Sequence, residues 1–230
     1  MKKRIMGLDE AGRGPVLGDL YIGAVLCSPE QVQILEDNQI DDSKKLSSKT
    51  RSLFYEIIKN NCLKYLVRAI SIAEIDGNIK RPGLKSLNDL EKELMRDLIC
   101  ELDPDIVYID AIGSNPKKFK KQMINLLEER METSSIPKII AENKGDSLFT
   151  IVGAASIMAK VDRDNAIDSY KKEFIKYGDI GSGYPSDWKT RAFLKKYIQI
   201  HKKPPNIARK SWDTTKNIIR ELQQTKLTDF

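Results

Sequence analysis

Three short apolar runs in this chain, each too short for a helix, give way to carboxylates. Ile5-Met6-Gly7-Leu8 stops at Asp9-Glu10, and Ile106-Val107-Tyr108-Ile109 stops at Asp110. Ile136-Pro137-Lys138-Ile139-Ile140-Ala141 runs into Glu142-Asn143-Lys144-Gly145-Asp146. Runs of this length and composition read as strands. Strand patterns alternate with helical ones over residues 62–160, which indicates an α/β layer structure. In such sheets ligands gather outside the carboxyl ends of parallel strands. Asp9, Glu10 and Asp110 fall at such ends, and Asp146 lies just past a third, ahead of an apolar helix. Acids scattered over a surface would not fall at the ends of three buried runs.

The first of these ends opens a heptad, Asp9-Glu10-Ala11-Gly12-Arg13-Gly14-Pro15. Gly12 and Gly14 remove Cβ where the backbone turns sharply or meets a ligand closely. Arg13 is a fixed cation whose planar donor fork suits phosphate. Acid, base and bare backbone together point to metal ions meeting a phosphate chain. Taken alone, Asp9-Glu10 reads sooner as a polar turn with a capping acid; the whole heptad balances that reading with a functional one. Composition narrows the chemistry. Lys+Arg number 39 against 33 Asp+Glu, a net charge of +6 that fits a polyanionic partner and also an ordinary basic protein. Cys27, Cys62 and Cys100 lie far apart, which argues against a zinc site or disulfide framework and fits a reducing cytosol. No signal segment and no apolar run long enough to span a bilayer is read in the sequence. His201 is the sole histidine, and its neighbours Lys202-Lys203-Pro204-Pro205 read as a basic loop rather than a nucleophile site. Catalysis by this chain therefore leans on carboxylates.

Along the chain, residues 20–26 form a second strand, joined to the first by a short Gly-rich turn and so paired antiparallel. Residues 31–36 suit a short helix. The polar loop Asp41-Asp42-Ser43-Lys44-Lys45-Leu46 leads to a helix capped by Ser47 or Ser48 and running to Ile58. Lys44 and Lys45 oppose the preference for acids at a helix start, so they read either as phosphate contacts or as a solvated face. Residues 65–75 read as a third strand, residues 87–102 as a helix, and Pro116 opens another. Gly153, Ala154, Ala155 and Ser156 read as packing residues that let a helix lie close to the sheet. That helix continues as a charged face to residue 177, where a boundary is expected between a 1–177 domain and a 178–230 helical appendage, with helices over 188–200 and 213–224.

Six motifs follow one another along the chain: the opening heptad, Asp42-Ser43-Lys44-Lys45-Leu46, Tyr108-Ile109-Asp110, Lys144-Gly145-Asp146, Ala154-Ala155-Ser156-Ile157-Met158-Ala159-Lys160-Val161 and Gly181-Ser182-Gly183-Tyr184-Pro185-Ser186-Asp187. In this order they resemble those of type 2 ribonuclease H (ribonuclease HII) in its single-chain archaeal form. Arg209-Lys210-Ser211-Trp212 also resembles archaeal and eukaryotic members, and Asp187 stands near where bacterial members usually carry a histidine. A type 3 enzyme is not expected, because Asp9 lies too near the start for its extra domain and its variant motif is absent. The resemblance implies a ribonuclease H-like mixed sheet flanked by helices, with a small helical C-terminal domain. It implies hydrolysis of the RNA strand of RNA–DNA hybrids, and cutting on the 5′ side of ribonucleotides embedded in duplex DNA to leave 3′-hydroxyl and 5′-phosphate ends. It places the four catalytic acids on Asp9, Glu10, Asp110 and Asp146, a reader of the ribose 2′-hydroxyl on Gly12-Arg13-Gly14, and a junction-stacking tyrosine on Tyr184. A cytoplasmic monomer is expected.

Four clustered carboxylates repel unless divalent metal relieves them, and hard oxygen donors select Mg²⁺ or Mn²⁺ over zinc. Two such ions would clamp the attacking water and the leaving oxygen of one phosphodiester. Lys44 and Lys45 would hold flanking phosphates and Tyr184 would stack on a sugar or base. Two alternatives are a junction resolvase on the same sheet and a non-catalytic nucleic-acid-binding module. The last residues, with Gln224, Leu227 and Phe230 in a Gln-x-x-Leu-x-x-Phe pattern, resemble the short peptide that docks repair proteins on the sliding clamp. Leu227 and Phe230 alternatively pack back on the appendage or fray.

Overall fold

The short apolar runs become strands because each finds a neighbour that takes its backbone groups. In the computed structural model, which describes residues 3–40, 46–79 and 83–224, β1 (Ile5–Ala11) and β2 (Leu20–Cys27) form an antiparallel pair. With β3 (Lys64–Ile70), β4 (Ile106–Asp110) and β5 (Lys138–Glu142) they build a five-stranded sheet in the order β3-β2-β1-β4-β5. The β1–β4 and β4–β5 ladders are parallel, so the sheet is mixed. Its helices are α1 (Pro29–Asp37), α2 (Ser48–Asn61), α3 (Ile72–Asn78), α4 (Leu87–Leu102), α5 (Pro116–Glu128), α6 (Gly145–Leu148), α7 (Thr150–Glu173), α8 (Trp188–His201) and α9 (Asp213–Gln224). No helix among the described residues is long and apolar enough to cross a membrane.

Of the strand ends that differ from the sequence reading, three have a clear local reason. β1 continues past Leu8 because β2 keeps pairing with it as far as Ala11↔Tyr21, while the β4 ladder stops at Leu8↔Ile109. The third strand ends at Ile70 rather than 75. Ser71 Oγ there accepts from Glu74 N at 3.2 Å and Glu74 Oε2 accepts from Ser71 N at 2.8 Å, a reciprocal cap that starts α3. β5 begins at Lys138, since Pro137 has no N–H for the ladder and Lys138 N donates to Asp105 O at 3.0 Å. His201, expected in a loop, closes α8, and its Nε2 lies 2.7 Å from the Tyr177 hydroxyl.

The chain forms two compact units. One comprises Met1–Ala11, Tyr21–Ala69 and Asn88–Asp162; the other comprises Gly12–Leu20, Ile70–Leu87 and Arg163–Phe230. The second unit thus takes in two segments from well before residue 177.

In the first unit the N-terminal half of α7 lies in backbone contact with the sheet. A Cβ on Gly7 would sit 2.0 Å from Ile151 O, and one on Gly23 would sit 2.2 Å from Ala155 O. Bare strand backbone is what admits the helix, and Ala154 and Ala155 are fully buried as the small-residue run implied. Val25, Cys27, Leu35, Ile58, Val152, Ile157 and Met158 complete the core around them. Each such aliphatic side chain contributes on the order of 1.5–3 kcal/mol on burial. The second unit has its own core of Val16, Leu17, Ile180, Phe193, Leu194, Ile198, Ile207 and Ile218. Phe174 stacks edge-on against Phe193 and Tyr197 there, with ring centroids 5.6 and 5.9 Å away.

The contact with α7 makes a sharp test. Gly7→Ala places a methyl group against backbone that has no rotamer to yield, so the loss should reach about 3 kcal/mol or more. That corresponds to a Tm drop of about 10 °C for a chain of this size. Gly77→Ala, in α3 with nothing within 4 Å of its Cβ position, should hold or raise Tm. Equal melting of the two variants would show that α7 is not seated on the strand backbone.

Candidate active site

Asp9 stands directly opposite Gly23 in the β1–β2 ladder, and directly opposed residues share a face of the sheet. That face is the one covered by α7. In the parallel β1–β4 ladder the last pair is Leu8↔Ile109, so Asp9 and Asp110 follow side by side and leave their strands on the same face. Asp146 arrives by a different route. Lys144 takes a left-handed backbone, φ 60°, after β5, and turns the chain into α6. Gly145 then lies so close to β4 that a Cβ would come 3.0 Å from Asp110 Cα and 3.1 Å from Asp110 N. Its N–H donates to Asp110 Oδ1 at 3.0 Å, which sets Asp146 in the first turn of α6. One carboxylate oxygen from each of Asp9, Asp110 and Asp146 lies within 4.8 Å of the other two. Asp9 is only 3% exposed and Asp146 only 2%.

Burial is the largest influence on Asp9 and pushes its pKa well above the ordinary carboxylate range, with the charges of Glu10 and Asp110 adding to the rise. A hydrogen bond from Ser156 and one from Glu10 N, the latter at 2.8 Å, partly oppose it. Ser156 lies in α7 and is 3% exposed. Its contact with Asp9 was not visible in the sequence, where it read as packing; the only signal was a lone hydroxyl in an apolar run. Strand alternation starts the Glu10 side chain from the opposite face, and it is not one of the three converging acids. Its charge nevertheless reaches Asp9. The three oxygens form a hard, anionic donor set of the kind that Mg²⁺ or Mn²⁺ takes. The thiols do not compete for such a role: burial pushes Cys27 up to about 12 and raises Cys62 and Cys100 as well.

Gly12, Arg13, Gly14 and Tyr184, also singled out in the sequence, belong to the second unit, where the structure brings several together. Gly12 has φ 87°, a left-handed backbone that favours glycine. The Cβ position of Gly14 is 3.6 Å from Tyr184 Cε1, so the loop and the tyrosine touch. The Tyr184 ring lies over Arg163, with the guanidinium carbon 5.3 Å from the ring centroid, and is 38% exposed. Arg163 is itself buried and donates through Nη2 to Ser182 O at 2.6 Å. Asp187 caps α8 and accepts from Ser182 N at 2.7 Å, a bond that holds its carboxyl below the usual range. Gln224 is the exposed last residue of α9. Lys44, Lys45, Leu227 and Phe230 lie outside the described residues.

A mixed five-stranded sheet flanked by helices, with acids converging from β1, from the end of β4 and from the turn after β5, fits a ribonuclease H-like nuclease. The ribonuclease HII family profile matches residues 6–215. A ribonuclease HII of Methanococcus vannielii is 41% identical over 228 residues, which is 98% of this chain and 89% of that one. Ribonuclease H2 from Pyrococcus horikoshii superposes with a TM-score of 0.82 at 34% identity, covering 96% of this chain and 99% of that chain. The structure of the PCNA:RNase HII complex from Archaeoglobus fulgidus matches with a TM-score of 0.78 at 34% identity, over 93% of this chain and 96% of that chain. This chain belongs to the ribonuclease HII family. Its activity is that of a ribonuclease H, a divalent-metal-dependent nuclease.

The raised Asp9 carboxyl gives a pH-dependent expectation. Its folded-state pKa stands above the unfolded value, so the stability it allows is fully present below about pH 4 and is lost as pH rises through the folded pKa. Asp9→Asn removes the ionisation. In EDTA at pH 7 the variant should melt above wild type, by about 2–4 °C for each kcal/mol of relieved charge. The difference should shrink to nothing as pH approaches 4. A variant that melts below wild type throughout would refute charge strain at Asp9.

Proposed function

We propose that this enzyme hydrolyses the RNA strand of RNA–DNA hybrids and cuts on the 5′ side of single ribonucleotides in duplex DNA. The observation that carries the reading is the convergence of Asp9, Asp110 and Asp146. With Glu10 they would hold two divalent ions, Mg²⁺ or Mn²⁺. When bound, such ions supply charge neutralisation at the phosphodiester and lower the pKa of water. The protein's own part is to hold the carboxylates at fixed separation. Ser156 and the Glu10 amide orient Asp9, and Gly145 N orients Asp110. In the reaction a water oxygen joins phosphorus, the bond from phosphorus to the 3′ oxygen breaks, and that oxygen takes a proton. The ends left are a 3′-hydroxyl and a 5′-phosphate, with the 5′-phosphate on the ribonucleotide.

Substrate selection is assigned to residues outside the acidic cluster. The backbone of Gly12, Arg13 and Gly14 reads the 2′-hydroxyl, the group that separates RNA from DNA. Tyr184, braced by Arg163, offers its exposed ring to a sugar or base at the junction. Lys44 and Lys45 are assigned to flanking phosphates. Gln224, Leu227 and Phe230 are assigned to docking on a sliding clamp. That assignment is supported by the relative from Archaeoglobus fulgidus, whose structure was determined as a complex with PCNA.

One gel tests the core of this reading. Duplexes carrying one ribonucleotide, a full RNA strand, or DNA alone are incubated with Mg²⁺, Mn²⁺ or EDTA. Cleavage is expected for the first two and only with metal. Asp9→Asn, Glu10→Gln, Asp110→Asn and Asp146→Asn should each lose about 100-fold or more, since metal stabilisation amounts to several kcal/mol. Tyr184→Phe should keep most activity on the single ribonucleotide, while Tyr184→Ala loses about tenfold. Near wild-type cutting by two or more of the acid variants would remove the metal-site assignment, and equal behaviour of the Tyr184 pair would remove stacking. Clamp docking has a separate readout. Calorimetry should detect micromolar binding of the cognate clamp that vanishes when residues 224–230 are deleted, with cleavage of short duplexes intact. Undiminished binding by the truncated chain would rule the tail out.

A further inference from the structure

The Gly12–Gly14 loop is gripped from behind by a residue nearly two hundred positions away. Arg209 donates through Nη2 to Gly12 O at 2.6 Å, through Nη1 to Arg13 O at 2.9 Å and through Nε to Gly18 O at 2.9 Å. It is fully buried, and its guanidinium lies over the Trp212 ring at 4.8 Å from the centroid. Its own backbone is fixed on both sides. Arg209 N donates to Val16 O at 2.9 Å, and Arg209 O accepts from the hydroxyl of buried Thr215 at 2.9 Å. The next two amides, Lys210 N and Ser211 N, both donate to the Asp76 carboxylate at 2.8 Å. A guanidinium held in this way has little freedom to move.

The planarity of the peptide group turns that grip into a direction. In a trans peptide the C=O of one residue and the N–H of the next point opposite ways. No cis peptide occurs among the described residues. With the Gly12 and Arg13 carbonyls turned toward Arg209, the N–H groups of Arg13 and Gly14 are turned away from it. A cation on a carbonyl oxygen also polarises the same amide and strengthens its N–H as a donor. We propose that Arg209 is a positioning residue that presents the Arg13 and Gly14 amides as a paired donor site for the 2′-hydroxyl and adjoining phosphate of a ribonucleotide. The inference rests on the reading of Gly12-Arg13-Gly14 given above and supplies the part that aims it. Lysine cannot replace this residue, because a compact ammonium lacks the fork that spans three carbonyls.

Binding discrimination tests this more cleanly than activity. The probes are two duplexes that differ by a single 2′-hydroxyl, titrated by anisotropy with the full-length chain carrying Asp146→Asn to prevent cutting. The parent should bind the ribonucleotide duplex more tightly than its all-DNA twin. Adding Arg209→Lys should shrink that preference by about three- to tenfold, the worth of one or two hydrogen bonds, and leave the all-DNA Kd within about twofold. A purely structural role would weaken both duplexes alike and leave the ratio untouched. Should Arg209→Lys fail to fold, Asp76→Asn carries the test. It is only half-buried, it loosens the segment behind Arg209, and it should lower the ratio by about two- to threefold at unchanged Tm. A folded variant with the parent's ratio overturns the role of Arg209. A parent with no preference at all overturns the 2′-hydroxyl reading along with it.

Discussion

Backbone-on-backbone contact between α7 and two strands is the constraint on which the acidic face depends. Gly7 and Gly23 leave no side chain between sheet and helix, so the helix carbonyls at Ile151 and Ala155 sit where Cβ atoms would otherwise be. Asp9 emerges beside them, opposite Gly23, and is sealed from water by the same helix. That seal raises its pKa, and it also brings Ser156 within reach of its carboxylate. The packing and the electrostatics are therefore one arrangement. Apolar burial around Val152, Ile157 and Met158 offsets the charge strain that the acids introduce.

Negative charge and fixed hydrogen-bond donors are carried by different materials in this chain. Charge is supplied by side chains, Asp9, Asp110 and Asp146, on rigid strand ends and one short helical turn. Hydrogen-bond donors in the Gly12–Gly14 loop are main chain, held by carbonyl contacts to Arg209. A side chain can be exchanged by one substitution with little change in the fold. A main-chain donor can be altered only by moving the loop, which makes the supporting residues the sensitive ones.

Much of this was legible in the sequence because strand ends leave a local mark. Asp110 follows four apolar residues, and Asp146 follows a strand and the Lys144-Gly145 turn, so both acids could be placed from pattern alone. α8 and α9, read over 188–200 and 213–224 on either side of a Pro loop, were likewise placed to within a residue. What escaped was tertiary. The extension of β1 to Ala11 depends on its partner in β2, and the early end of β3 depends on a side-chain cap at Ser71. Ser156 and Arg209 carry no periodic signal, because each acts on a residue far off in the chain. Asp9 and Glu10, neighbours in the motif, are separated by the pleat, which no composition reveals.

The grip of Arg209 on Gly12 spans 197 positions, and its bond to Gly18 spans 191. Contacts of this sequence separation close late, because the entropy of so large a loop must be overcome before they form. On a ribosome the strands bearing the acids emerge first, and the segment that secures the turn between β1 and β2 emerges near the end of synthesis. The chain thus acquires its anionic cluster well before the adjoining turn is locked. Slow steps in refolding should therefore report on the 12–20 segment and its C-terminal partner rather than on the sheet.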